Sequence, residues 1–224
     1  MMKRFGLWIL VGLLMMTQSP IVKAQDYYAT YSTHKPVTLG LTFSPNISWL
    51  RYGDDPDFKS QAGLGFAYGL MADFALAENY YLASGLLINQ VWSSADVSKL
   101  SDIDPFFGPT KFKYHYRFQY AEIPVALKLR SAMRYHRSYY GKFGFTAGVK
   151  LSGKYKMNEG QTRYNNEDMK ILRLGLQVGG GAEWQLDHNL RMMTGLSFNN
   201  GLTKIMKYGE PKDAYLSLDF GFFF

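Results

Sequence analysis

Histidine and cysteine, which supply most metal ligands and many catalytic groups, are scarce in this chain. It has no Cys, so a disulfide framework and a thiolate metal site are both excluded. The histidines, His34, His115, His136 and His188, are far apart, and their spacing is not that of a metal cluster. We expect no catalytic, cofactor-binding or metal site.

Two further motifs have both a chemical and a structural interpretation. Asp54, Asp55 and Asp57 carry the carboxylates that a hard divalent cation prefers, but their spacing is not that of an EF-hand loop. We favour a solvated acidic turn. The run Gly179–Gly181 lacks the Lys-Ser/Thr ending of a phosphate loop, so we assign it to a tight place inside a strand.

Charged residues also occur singly inside apolar segments, always on the face that carries small side chains. Buried charges are tolerated when they are paired and hydrogen-bonded. We therefore predict an ion-pair network that plugs the interior of the fold, with a narrow polar channel as the alternative. The members of this predicted network are Asp73, Glu122, Lys142, Lys150, Arg173, Glu183, Arg191 and Asp219.

The elements that must position these charges are strands, because large apolar residues alternate with small or polar ones along the chain. The alternation recurs in eight segments, and about ten residues is the length that a tilted strand needs to cross a bilayer. Long polar connections alternate with short ones, which is typical of an up-and-down barrel. The segments are residues 38–44, 62–74, 80–92, 112–129, 142–152, 172–184, 190–199 and 215–224, and the long connections are 51–61, 93–111, 155–168 and 200–213.

The composition of the two strand faces distinguishes a membrane barrel from a soluble one. A lipocalin-like barrel, the alternative fold, packs its apolar face inward. Here the second face is mostly Gly, Ala, Ser and Thr, which suit the interior of a narrow barrel, while the large apolar face suits lipid. Tyr80, Trp92 and Trp184 lie near segment ends, where an interfacial aromatic girdle is expected. We predict an all-β fold, an eight-stranded antiparallel up-and-down transmembrane β-barrel.

The first residues are typical of an export signal. Lys3 and Arg4 precede an apolar run at 5–16 that is too short to span a bilayer, and Val22 and Ala24 suit positions −3 and −1 of a cleavage site. We predict a signal peptide at 1–24 and a barrel domain at 25–224. The signal contributes part of the net charge of +7. The remaining Lys and Arg are scattered, so we expect no nucleic-acid partner.

The end of the chain resembles the C-terminal signal that outer-membrane barrels present to their insertion machinery. Phe220, Phe222 and Phe224 alternate up to the last residue. The resemblance implies outer-membrane localisation, with the insertion machinery and outer-membrane lipids as partners.

A second resemblance concerns the strand Tyr120-Ala-Glu-Ile-Pro-Val-Ala-Leu-Lys-Leu129. It resembles the EIP strand of Bacteroidetes outer-membrane barrels of the PorT family, and the stretches 39–43 and 139–145 fit the same pattern. The resemblance implies a structural or interaction role, with a part in type IX protein secretion and secretion components as partners, and no cofactor. The alternative function is a narrow porin-like channel for small solutes. A barrel-shaped hydrolase would need clustered Ser, His and carboxylate groups on the outer side, and His115 is the only histidine there, so we expect no enzyme.

Overall fold

The computed structural model describes residues 36–52, 58–104, 108–157, 162–164, 170–205 and 211–224. The predicted signal peptide, His34 and the acidic run at 54–57 lie outside these residues. None of the described residues forms a helix long and apolar enough to cross a membrane. The described strands are β1 (Val37–Arg51), β2 (Phe58–Ala77), β3 (Tyr80–Asp104), β4 (Gly108–Arg130), β5 (Arg137–Met157), β6 (Thr162–Tyr164), β7 (Leu172–Gln185), β8 (Arg191–Gly201) and β9 (Lys212–Phe223).

Eight of these strands form a closed antiparallel barrel. Each strand pairs with the next in the order β1, β2, β3, β4, β5, β7, β8, β9, and β9 pairs back with β1, where Phe43 lies opposite Phe220. The short β6 adds to the end of β5. Closure gives every barrel strand two neighbours, so the backbone donors and acceptors are satisfied without water. The predicted eight-stranded fold is confirmed.

The barrel has a short-turn end and a long-loop end. At the short-turn end, Asn79 turns β2 into β3 with a φ of 68°. Tyr135 and His136, at φ 50° and 61°, form the tip of the β4–β5 connection between the paired Arg134 and Arg137. Two successive residues with positive φ suit the right-handed twist of a two-residue hairpin. The chain enters β1 and leaves β9 at this same end, as expected for an even number of strands.

The strands on one side of the barrel are longer than predicted. Residues 93–111, expected to be a loop, are mostly the continuation of β3 and the start of β4, and His115 there lies opposite Ser94. The prediction was wrong because the large apolar residues that mark the lipid-facing alternation stop at Trp92. β3 has 25 residues and β8 has 11, so the barrel wall is high at β3 and low at β8. We call residues 92–104, 108–117 and 152–157, with β6, the outer sheet.

The barrel exposes its large apolar side chains and encloses its polar ones. Leu64 is 70 % exposed and Phe145 59 %, whereas Asp73 is 4 % and Glu122 0 % exposed. Outward exposure of aliphatic and aromatic groups is unfavourable in water and favourable in lipid. The inverted arrangement therefore agrees with the predicted transmembrane barrel and not with the lipocalin-like alternative.

The narrow interior requires glycine where two strands approach closely. A Cβ added to Gly181 in β7 would overlap the backbone carbonyl of Thr194 in β8. Backbone atoms of a paired strand cannot move aside without breaking the ladder. The Gly179–Gly181 run is therefore used inside a strand, as expected, and permits close pairing of β7 with β8.

We predict that Gly181→Val prevents formation of the closed barrel, whereas Gly141→Val in β5 is tolerated. A Cβ at Gly141 would have no atom within 4 Å. The measurement is the electrophoretic mobility of unheated refolded protein, because a closed barrel migrates differently from its heated form. Equal mobility shifts for both variants would contradict this account of the glycine run.

Candidate functional site

The centre of the interior is the guanidinium of Arg173, which β7 directs into the barrel. Its side chain is fully buried and lies between two carboxylates from distant strands. Nε donates to Asp213 Oδ2 at 2.6 Å, and Nη1 donates to Glu122 Oε1 at 3.1 Å. Nη2 donates to Asn199 Oδ1 at 2.7 Å. Because β4 and β9 are each two strands away from β7, with β5 and β8 between, one cation joins side chains from β4, β8 and β9.

Neutral groups complete the hydrogen bonding of Glu122. Asn89 Nδ2 donates to its Oε1 at 3.2 Å, and the Tyr215 hydroxyl donates to its Oε2 at 3.0 Å. The rings of Tyr120 and Tyr215 lie 5.9 Å and 5.2 Å from the Arg173 guanidinium carbon. Buried charges with this many partners retain most of the stabilisation that water would have supplied.

A second cluster lies towards the short-turn end, around Lys128 and Glu183. Lys128 Nζ is 2.5 Å from Asp73 Oδ2 and also contacts Glu183 Oε1. Glu183 in addition pairs with Arg191 at 2.9 Å and Arg130 at 3.4 Å. Three cations therefore surround one buried carboxylate. This cluster lies in the lumen at the end where β1 begins and β9 ends.

Between these clusters, Lys142 pairs with Asp219. The Nζ–Oδ2 distance is 3.0 Å, and Ser217 and Ser197 also donate hydrogen bonds to this carboxylate. A cavity of about 80 Å³ adjoins the pair. That volume holds a few water molecules, each needing about 10–15 Å³. The side chains around the cavity include Thr42, Met71, Asp73, Lys128 and Tyr215.

Apolar side chains cluster inside the barrel towards the long-loop end. Tyr116, Phe118 and Tyr120 stack at centroid distances of 6.1 Å along β4. They pack with buried side chains from β1, β3, β9 and the segment after β8, namely Leu50, Val91, Tyr215 and Ile205. We call this group the aromatic cap. Charge pairs therefore lie in the lumen towards the short-turn end, and the aromatic cap lies towards the long-loop end.

The structure places every residue of the predicted network on the inner face. Lys150 lies near the long-loop end and is half-buried. The remaining predicted residues form ion pairs with partners on other strands: Asp73, Glu122, Lys142, Arg173, Glu183, Arg191 and Asp219.

Sequence reasoning missed three members of the network, Lys128, Arg130 and Asp213. Lys128 alternates with Glu122 on β4, so the same parity argument includes it. Arg130 is the last residue of β4, and no alternating residues follow it from which its face could be predicted. Asp213 was assigned to a loop, and it joins the network because β9 begins at Lys212.

The histidines do not form a chemical site in the described part of the chain. His115 Nδ1 is 2.8 Å from Ser94 Oγ at the exposed outer surface, and no described carboxylate is hydrogen-bonded to this ring. The backbone N–H of His188 donates to Asp187 Oδ1 at 2.7 Å and holds the pKa of that carboxyl below its usual range. Among the described residues, no three His, Asp or Glu side chains are placed to hold a metal ion.

The closed barrel, its apolar exterior and its paired interior charges define a small membrane-spanning β-barrel protein. Residues 17–207 match the family model described as outer membrane protein beta-barrel domain. The chain belongs to this family, and its barrel is accordingly a domain of the outer membrane. No curated protein matches the chain significantly.

Solved structures similar to this chain are also outer-membrane proteins. Neisserial surface protein A has a TM-score of 0.45 and 11% identity, covering 84% of this chain and 98% of that protein. OprG from Pseudomonas aeruginosa has a TM-score of 0.45 and 11% identity, covering 84% and 96%. Ail from Yersinia pestis has a TM-score of 0.39 and 12% identity, covering 84% and 97%. The fold of this chain rests on its own strand pairing.

We predict that Arg173→Met destabilises the barrel by ~3–5 kcal/mol, because Glu122 and Asp213 are left as buried charges without their cation. The measurement is urea unfolding of the refolded barrel in detergent micelles, followed by tryptophan fluorescence. Lys128→Met is also expected to destabilise the barrel, because Asp73 is left buried without its cation, although Glu183 keeps Arg130 and Arg191.

The control for this prediction is a triple variant that adds Glu122→Gln and Asp213→Asn to Arg173→Met. Neutral amides remove the uncompensated charge, so the triple variant is expected to regain part of the lost stability. If the triple variant is no more stable than Arg173→Met, the loss comes from packing and the charge argument is wrong.

Proposed function

We propose that this protein is a non-conducting outer-membrane barrel with a structural or interaction role. The observation that supports the proposal is the filled lumen. Arg173 joins three walls in its middle, Lys128 and Glu183 occupy the short-turn end, and the aromatic cap occupies the other. A solute would have to separate buried ion pairs in order to pass, which costs several kcal/mol per charge.

In this proposal, the surface that binds a partner lies at the long-loop end. Outer-membrane barrels place short turns in the periplasm and longer loops outside the cell. In that orientation the outer sheet extends beyond the bilayer on the side of β3 and β4. A rigid sheet held on a closed barrel presents its side chains with little loss of conformational entropy on binding.

Type IX secretion is the specific process that we propose to test, on the basis of the PorT-like strand. Glu122, the first residue of its EIP motif, accepts hydrogen bonds from Arg173, Asn89 and Tyr215 inside the barrel. Ile123 faces outward and is 48 % exposed. The motif therefore has a structural use in this barrel, and a secretion role depends on partners at the surface.

We predict that the purified protein produces no steady openings of uniform size in planar lipid bilayers. The buried ion pairs and the aromatic cap are expected to obstruct the passage of ions through the lumen. Single-channel current recording provides the measurement, with a porin of known conductance as the positive control. Uniform openings from the folded protein would favour the porin-like alternative instead.

For the secretion role, we expect mild detergent extraction of native membranes to recover type IX components together with a tagged form of this barrel. The readout is mass spectrometry of the co-purified proteins, with a tagged unrelated barrel from the same membranes as control. Recovery of the barrel alone, or of the same proteins with both baits, would argue against the secretion role and leave the structural role intact.

A further inference from the structure

The two faces of the barrel wall exchange their polarity where the outer sheet begins. On β4, the outward side chains Ile123, Val125 and Leu129 are apolar and between 40 % and 48 % exposed. Beyond Gln119, the outward residues of the same strand are Arg117 and His115, both exposed. The inward residues there belong to the aromatic cap. Between His115 and Phe118, β4 is therefore polar outside and apolar inside, the reverse of its transmembrane part.

Cations accumulate on this outward face. Arg117 lies directly opposite Lys154 of β5, and His115 lies directly opposite Lys156. By the alternation of β4, Lys111 and Lys113 are at positions of the same parity as Arg117, and one acidic residue, Asp96 of β3, lies opposite Lys113. Like charges placed directly opposite each other on paired strands repel. An anion between the two strands would be attracted by both Arg117 and Lys154.

The residues beside these cations suit the boundary between lipid and water. The Arg117 guanidinium carbon lies 4.8 Å from the Trp92 ring centroid, and Trp is enriched where membrane barrels meet the headgroups. Ser94 and His115, hydrogen-bonded to each other, add polar groups to the same face. Gln90 and Gln119, paired across β3 and β4, separate the face from the apolar belt.

The height of the cations also matches the headgroup layer. Arg117 follows Ala121, an outward position of the apolar belt, by a rise of about 13 Å along the strand. With a tilt of about 40° this is roughly 10 Å along the membrane normal, close to the thickness of one headgroup layer.

We propose that this basic face, centred on Arg117 and Lys154, binds the phosphate groups of anionic lipid headgroups in the outer leaflet. The proposal deepens the function proposed above, because it requires the long-loop end to lie outside the cell. The occupant is a lipid because the face continues the lipid-facing surface of the same strands without interruption. Arg and Lys side chains together match phosphate oxygens by charge and by hydrogen-bond geometry.

The test uses the folded full-length mature protein in zwitterionic micelles doped with lipid A, which carries phosphate groups. Native mass spectrometry measures the fraction of barrel that retains lipid A. We expect Arg117→Gln combined with Lys154→Gln to lower this fraction at least tenfold. The exchanged pair Arg117→Lys with Lys154→Arg keeps both charges and is expected to retain lipid A. Dephosphorylated lipid A is expected to bind the original protein and the Gln variant equally.

A second double variant, Arg134→Gln with Arg137→Gln, removes the same charge from the short-turn end and is expected to retain lipid A. Equal losses in both Gln variants, or no loss in the Arg117 and Lys154 variant, would overturn the proposal. So would a soluble polyphosphate that binds the original protein as strongly as lipid A does. Gel mobility confirms that each variant is folded, and current recording tests the non-conducting barrel separately, so the two proposals fail independently.

Discussion

The rest of the barrel depends on how the cation of Arg173 is compensated. Glu122 and Asp213 approach it from β4 and from the start of β9, and both side chains are removed from water. A buried charge without a partner is strongly unfavourable. Each strand that carries one of these three charges must therefore keep its position relative to the strands that carry the other two. The closed shape, the closely paired glycine-bearing strands and the filled lumen are consistent with this single requirement. The same network is the reason that we propose an occluded barrel.

Much of this arrangement follows from alternation, and the exceptions have physical causes. Strand parity places Glu122, Arg173 and Asp219 on one face, because successive side chains of a strand point to opposite sides. The parity of a residue does not predict its ion-pair partner. Arg173 and Glu122 are 51 residues apart, and their pairing can be predicted only from the register of the strands between them. Residues 93–111 were expected to be a loop because the large apolar residues of the lipid-facing side stop at Trp92, and the adjoining part of β4 has the inverted polarity, with Phe118 and Tyr116 inward and Arg117 outward.

The EIP motif of this chain has a structural explanation. In the EIP strand, Glu122 is an acceptor at the centre of the barrel and Ile123 belongs to its lipid-facing surface. A motif whose residues have these structural roles is explained by the fold and does not by itself indicate a particular function. What distinguishes one such barrel from another must then lie at the ends, where loops and the outer sheet meet solvent, which is where functional residues concentrate on rigid scaffolds.

The exchange of polarity along β4 also restricts how deeply the barrel can sit. A shift of the barrel towards its short-turn end would carry Gln119 and Arg117 into hydrocarbon, and a shift the other way would expose Ile123 to water. Either displacement is unfavourable, so the apolar height of the wall selects a membrane of matching thickness. A bilayer of another thickness has to stretch or compress locally around β3, β4 and β5. The apolar height of the barrel thereby determines the thickness of the bilayer in direct contact with it.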